Sequence, residues 1–176
     1  MMKMTKILPG IRIPDRLREI NESSFSKAVG YMSEAVEAMK DGKVIEFYEA
    51  SDDGTTVGFA AVVPGNPGSY LLLLAVDGSM RGRGYGSEIL GEVRRLYGGP
   101  ILLDCEAHLV QFYERNGYTH SGYAMLYKGV RYEMMVQGEA RLEDFDKAME
   151  KFGEVESDPT FLVCPDGSIR EFRAYR

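Results

Sequence analysis

Seven consecutive apolar residues at 70–76 (Y-L-L-L-L-A-V) constrain this chain more than any other feature. The run is too short to span a bilayer, and it lacks the polar alternation of a strand with one wet face. It predicts a strand covered on both faces, in the middle of a sheet. A glycine-rich segment, Arg81-Gly82-Arg83-Gly84-Tyr85-Gly86, follows almost at once. Behind it Tyr85, Ile89, Val93 and Leu96-Tyr97 recur at helical spacing and stop at Gly98-Gly99. Strand, tight loop and helix thus succeed one another in a single short stretch.

The remaining pattern surrounds that unit with further strands and helices. Phe25, Val29, Met32, Val36 and Met39 mark an amphipathic helix, capped by Ser23 or Ser24 and stopped by Asp41-Gly42, with a shorter helix before it from Pro14-Asp15. Residues 44–50 and 55–63 read as a β-hairpin around Ser51-Asp52-Asp53-Gly54, and residues 64–68 as a Pro/Gly loop. Pro100 opens a second buried strand at 101–105. A short helix with Leu109, Phe112 and Tyr113 on one face ends at Asn116-Gly117, and strands run at 119–127 and 130–137. The order β-β-β-α-β-α-β-β predicts a mixed α/β sheet. Residues 138–176 add a helix (Leu142, Phe145, Met149, Phe152) and a hairpin turning at Pro165-Asp166-Gly167. We expect a main domain at 1–137 and an extension at 138–176, docked on the same domain or on a partner subunit. The hairpin edge would suit a homodimer.

A length of 176 residues suits one domain with a real core. The net charge of −6 argues against nucleic acid or an anionic membrane as partner and fits a small cationic ligand better. Around the loop the balance reverses, with Arg81, Arg83, Arg94 and Arg95 against Glu88 and Glu92. Two cysteines, Cys105 and Cys164, form no secreted framework, and the two histidines, His108 and His120, have no metal-binding spacing, so no metal is expected. Cys105, in an apolar strand, reads as a small buried hydrophobe. No G-x-S-x-G elbow is present, which excludes the usual serine hydrolase. No secretion signal is evident, and the cytoplasm is the expected compartment.

Free amides at a helix N-terminus carry positive potential and receive phosphates. Glycines let a ligand approach those amides, and arginines can add paired donors. The dinucleotide fingerprint fails because Ser87 stands where its third glycine belongs, and the triphosphate loop fails for want of a lysine. What stands here is R-x-x-G-x-G, after a strand and opening a helix. It resembles the coenzyme A loop of the GNAT superfamily of N-acetyltransferases. The stretch Phe112-Tyr113-Glu114-Arg115-Asn116-Gly117-Tyr118 resembles the same family's F-Y-x-x-x-G-[FY] element. The likeness covers about residues 14–137 in element order and leaves 138–176 unexplained.

That resemblance implies a central mixed, mostly antiparallel sheet with helices on both faces and a V-shaped splay between two central parallel strands. It implies that the backbone of Leu74, Ala75 and Val76 bonds the pantetheine arm of acetyl-CoA, with the amide of Val76, or one beside it, at the thioester carbonyl. The diphosphate would sit on amides from Gly82 through Arg83, Gly84, Tyr85 and Gly86 to Ser87, with Arg81 and Arg83 as side-chain donors. Phe112 would pack on the arm, and Tyr113 would protonate the departing thiolate. The base that takes the amine's proton would be Glu106, at the end of the second buried strand, with Asp77, Asp104, His108 and Glu46 as alternatives. Glu106 stands where many members of the family carry asparagine. The function so implied is direct acetyl transfer from acetyl-CoA to a primary amine of a small molecule or peptide. The alternative is a coenzyme A-binding sensor or interaction module without turnover. A toxin acting on aminoacyl-tRNA would want a basic surface, and this one is acidic. The acceptor would be shaped near Asn21-Glu22-Ser23-Ser24 and by the loop between the last core strands; its acidic and hydroxyl side chains suit a cationic amine.

Overall fold

The computed structural model describes residues 1–24, 45–155 and 160–171. The helix expected from Phe25 to Met39 lies outside the described residues. In chain order the elements are β1 (Met2–Ile7), α1 (Asp15–Ser24), β2 (Glu46–Asp52), β3 (Thr55–Val63), β4 (Ser69–Val76), α2 (Tyr85–Tyr97), β5 (Ile101–Cys105), α3 (Val110–Arg115), β6 (Tyr118–Tyr127), β7 (Val130–Gln137), α4 (Asp146–Val155), β8 (Thr160–Val163) and β9 (Ile169–Glu171). The β4–β5 ladder is parallel, and the ladders β1–β2, β2–β3, β5–β7, β6–β7, β6–β8 and β8–β9 are antiparallel. This is a mixed α/β fold with a mostly antiparallel sheet. The strand β1 carries no strand signature in its sequence. Lysines interrupt it, and among its six residues only Ile7 is buried.

The chain divides into two compact units, Met1–Val62 with Leu72–Gly98 and Val63–Leu71 with Gly99–Arg176. In the first unit the strands are ordered β1-β2-β3-β4. Its core holds Leu17 and Ile20 of α1, Phe47 stacked on Phe59 with centroids 5.3 Å apart, and Ile89, Leu90 and Val93 of α2. Apolar residues at that spacing give α2 one buried stripe. A bulge in the β2–β3 ladder pairs Ala50 with Gly58 and Ser51 with Thr56, skipping Val57. The Val57 carbonyl then accepts the Asp77 amide at 2.8 Å, just past the end of β4. Gly58 lets the strands approach there: an added Cβ would lie 2.3 Å from the Ala75 carbonyl oxygen.

In the second unit the order is β4-β5-β7-β6-β8-β9. The β4–β5 ladder joins Ser69, Tyr70 and Leu71 to Ile101, Leu102 and Leu103. Residues 72–76 of β4 belong to the first unit. Ile101, Leu102, Leu103, Met134 and Met135 are fully buried, which explains the unbroken apolar runs. The helix expected near 142–152 is a 3₁₀ turn, Leu142–Phe145, followed by α4. Phe145, Ala148, Met149 and Phe152 are buried, and the Phe152 ring meets Tyr70 edge-on at 5.3 Å. The Gly68 amide donates to the Asp144 carbonyl, and Lys151 Nζ donates to the Pro64 carbonyl at 3.0 Å. Strand β8 pairs with β6 from Ala124↔Val163 to Tyr127↔Thr160.

Candidate active site

Within the first unit, β4 delivers the chain to a locked corner. Asp77 is 5% exposed. Its Oδ1 accepts the Ser79 amide at 2.8 Å and the Ser79 hydroxyl at 2.6 Å, and its Oδ2 accepts from Arg16 of α1. A carboxylate so fully bonded is a structural cap for the 3₁₀ turn Gly78–Met80, which argues against its use as a base. Glu46 is similarly engaged. Burial pushes its carboxyl up, but Lys6, Tyr97 and Tyr48 all donate to it and together hold it below the usual carboxylate range.

The loop that follows carries two left-handed glycines, Gly82 (φ +76°) and Gly84 (φ +91°). Other residues are strained in that region. A Cβ built on either glycine would meet nothing within 4 Å, so open space lies beside the backbone. Gly84 caps α2 without a side-chain hydrogen bond. Its carbonyl accepts the amides of Ser87 at 3.0 Å and Glu88 at 3.1 Å. The amides of Gly82, Arg83, Gly84, Tyr85 and Gly86 have no acceptor among the described residues. Of the expected phosphate-binding amides, that of Ser87 is therefore already used in the first turn. The Tyr85 hydroxyl donates to Asp52 Oδ2 at 2.8 Å and fastens the loop to the β2–β3 hairpin. Arg81 donates from Nε to the Val76 carbonyl at 3.3 Å and from Nη2 to Ser24 Oγ at 3.0 Å. Arg83 makes no hydrogen bond or ion pair among the described residues. On β4, Leu74 and Val76 are half-buried and Ala75 is buried.

Within the second unit, Tyr113 on α3 is 6% exposed, its ring edge-on to Phe112 at 5.0 Å and to Tyr118 at 5.8 Å. Its hydroxyl has no hydrogen-bond partner among the described residues. Burial, then the nearby Cys105 and Asp104, push the phenol well above its ordinary value, so it stays protonated. Burial likewise pushes the Cys105 thiol up to about 12, which keeps it from acting as a nucleophile. Asp104, bonded by the Tyr70 hydroxyl, is pushed up to about 6 by desolvation. Glu106 stands at the end of β5, with its side chain 55% exposed and Oε2 3.4 Å from His108 Nδ1.

Two arrangements escape the sequence pattern. The Arg16–Asp77 and Tyr85–Asp52 bonds join residues 61 and 33 positions apart, and no local signal marks them. His120 Nδ1 accepts the Gly122 amide at 2.9 Å, which places the ring proton on Nε2, 2.8 Å from Glu133 Oε2. Arg131 Nε also donates to Glu133, at 2.8 Å. Among the described residues no group of three or more His, Cys, Asp or Glu is placed to hold a metal ion, and no helix is long and apolar enough to cross a membrane.

Residues 43–120, which contain both the loop and Tyr113, match the family model of the acetyltransferase (GNAT) domain. Solved structures share the GNAT fold. A GNAT-family protein from Desulfovibrio desulfuricans aligns with a TM-score of 0.62 and 20% identity, over 80% of this chain and 100% of its own. An aminoglycoside 6'-N-acetyltransferase complexed with coenzyme A aligns at 0.61 and 20%, over 77% and 96%. A GNAT-family acetyltransferase from Elizabethkingia anophelis with acetyl-CoA bound aligns at 0.52 and 14%, over 77% and 94%. No curated protein matches the sequence.

Proposed function

We propose that this protein is an acetyl-CoA-dependent N-acetyltransferase that passes the acetyl group directly to a primary amine. The observation that carries the reading is the row of amides at 82–86 with no acceptor among the described residues, held by left-handed glycines beside open space at the mouth of α2. Such a row suits an anion such as a phosphate or diphosphate. Acetyl-CoA supplies the activated acyl group. The amides of Gly82, Arg83, Gly84, Tyr85 and Gly86 receive the diphosphate, with the side chain of Arg83 beside them. The backbone of Leu74, Ala75 and Val76 bonds the pantetheine amides, and the Val76 amide polarises the thioester carbonyl. Phe112 packs along the arm.

Tyr113 gives its proton to the departing sulfur. Burial keeps the phenol protonated and so available as a donor, while making it a weaker acid than a free tyrosine. Glu106, solvated at the end of β5, takes the proton that the attacking amine must shed. The carbon–sulfur bond breaks as the carbon–nitrogen bond forms, leaving free thiol and amide. No covalent acyl-enzyme is needed, which agrees with a buried Cys105. The acidic chain favours a cationic acceptor. Aminoglycosides belong in the first amine panel, since two solved structures with this fold are aminoglycoside 6'-acetyltransferases. Two free buried cysteines suit a reducing compartment such as the cytoplasm.

The test is calorimetric titration with acetyl-CoA, followed by thiol release with an aminoglycoside, a polyamine and a peptide with a free N-terminus. Micromolar binding with amine-dependent thiol release is expected. Binding without release from any amine would favour the sensor, and no binding at millimolar acetyl-CoA would remove the reading altogether.

A further inference from the structure

We propose that Arg81 is a positioning residue that straps the end of α1 to the end of β4, and is not a ligand of the diphosphate. Its guanidinium is already committed within the first unit. Nε donates to the Val76 carbonyl at 3.3 Å and Nη2 to Ser24 Oγ at 3.0 Å. Ser24 is the last residue of α1, and Val76 is the last residue of β4. The other end of α1 is held too: Arg16, in its first turn, donates to Asp77, the residue after β4. Asp77 is buried and fixed in turn by Ser79. Arg16 and Ser24 stand about 12 Å apart along a helix, so two such anchors fix its direction as well as its position.

Arg83, two residues on, offers the contrast. It has no hydrogen bond or ion pair among the described residues, and its charge is available to an anion. The motif therefore divides its labour: the first arginine braces protein, the second faces ligand. The functional consequence rests on the acetyltransferase reading, in which residues 21–24 help shape the acceptor's side. Arg81 would then set the acceptor segment against the strand that bonds the pantetheine.

Lysine separates the two roles. Arg81→Lys keeps the positive charge that a phosphate needs but loses the planar fork that reaches two acceptors at once. Ser24→Ala removes the far acceptor and touches no phosphate. Hydrogen exchange at residues 15–24 and calorimetric coenzyme A affinity are measured for Arg81→Lys, Ser24→Ala, the double variant and Arg83→Ala. For a strap, Arg81→Lys and Ser24→Ala each speed exchange at the end of α1 by about tenfold, without additivity in the double variant, because both cut the same link. Coenzyme A affinity stays within about twofold in these three, while Arg83→Ala weakens it about three- to tenfold. The strap is overturned if Arg81→Lys and Ser24→Ala leave α1 exchange unchanged. It is equally overturned if a further variant, Arg81→Ala, costs coenzyme A affinity tenfold while Arg81→Lys keeps it. Should wild-type protein bind no coenzyme A, the acetyltransferase reading fails while the exchange data still decide the strap.

Discussion

Under the proposed mechanism, Tyr113 is both a packing residue and the acid. Its ring packs against Phe112 and Tyr118, and its hydroxyl has no hydrogen-bond partner among the described residues. Tyr113→Phe keeps every ring contact, so the variant should fold as well as the wild type. If the phenol is the acid, its loss lowers kcat by about 10²-fold with acetyl-CoA affinity within about twofold, checked by steady-state kinetics beside calorimetry. Asp104 makes a prediction of a different kind. Desolvation raises its folded-state pKa to about 6, above the usual carboxylate value. The buried acid is therefore comfortable when protonated, and the stability it lends is fully present below pH ~4 and lost as the pH rises through ~6. The two-unit gap corresponds to a loss of at most about 3 kcal/mol. Asp104→Asn still accepts from Tyr70 but never ionises. Denaturant titrations at pH 4 and pH 8 should show near-equal midpoints at the lower pH and a more stable variant at the higher.

At the scale of elements, the close approach of β3 to β4 depends on the absence of one methyl group. Gly58→Ala places a carbon 2.3 Å from the Ala75 carbonyl oxygen, a backbone atom that cannot turn aside. A loss of about 2 kcal/mol is expected from such overpacking, read as a lower urea midpoint at unchanged slope. In the second unit, α4 depends on its aromatic seat: Phe152→Ala removes the ring that meets Tyr70 and should cost about 3–4 kcal/mol. The legible elements are those with a one-dimensional signature. The buried run at 70–76, the glycines at 82, 84 and 86, and the apolar stripe of α2 all declare themselves locally, and so the strand-loop-helix core of the site can be read directly. The strand β1 cannot, because an edge strand interrupted by Lys3 and Lys6 buries too little to leave a pattern. The insertion of β7 between β5 and β6 is also hidden, since strand order is decided by long-range pairing. The tie from Arg81 to Ser24 is invisible for the same reason: arginine beside a phosphate loop reads as a phosphate donor until its real partner, 57 residues away, is known.

For the molecule as a whole, ligand binding and stability are linked. Acetyl-CoA at a hundred times its Kd adds about 2.7 kcal/mol to a native state that alone binds it. For a chain of this size that amounts to a Tm rise of about 5–10 °C, measurable by differential scanning fluorimetry. An unchanged Tm at millimolar acetyl-CoA would remove the cofactor assignment. Both cysteines are buried, Cys105 at 4% and Cys164 at 8% exposure. A disulfide reagent such as a chromogenic aryl disulfide therefore finds no accessible sulfur on the native protein. Colour developing in an unblocked reaction mixture would report released coenzyme alone, and a slow rise without substrate would instead time the opening of the fold.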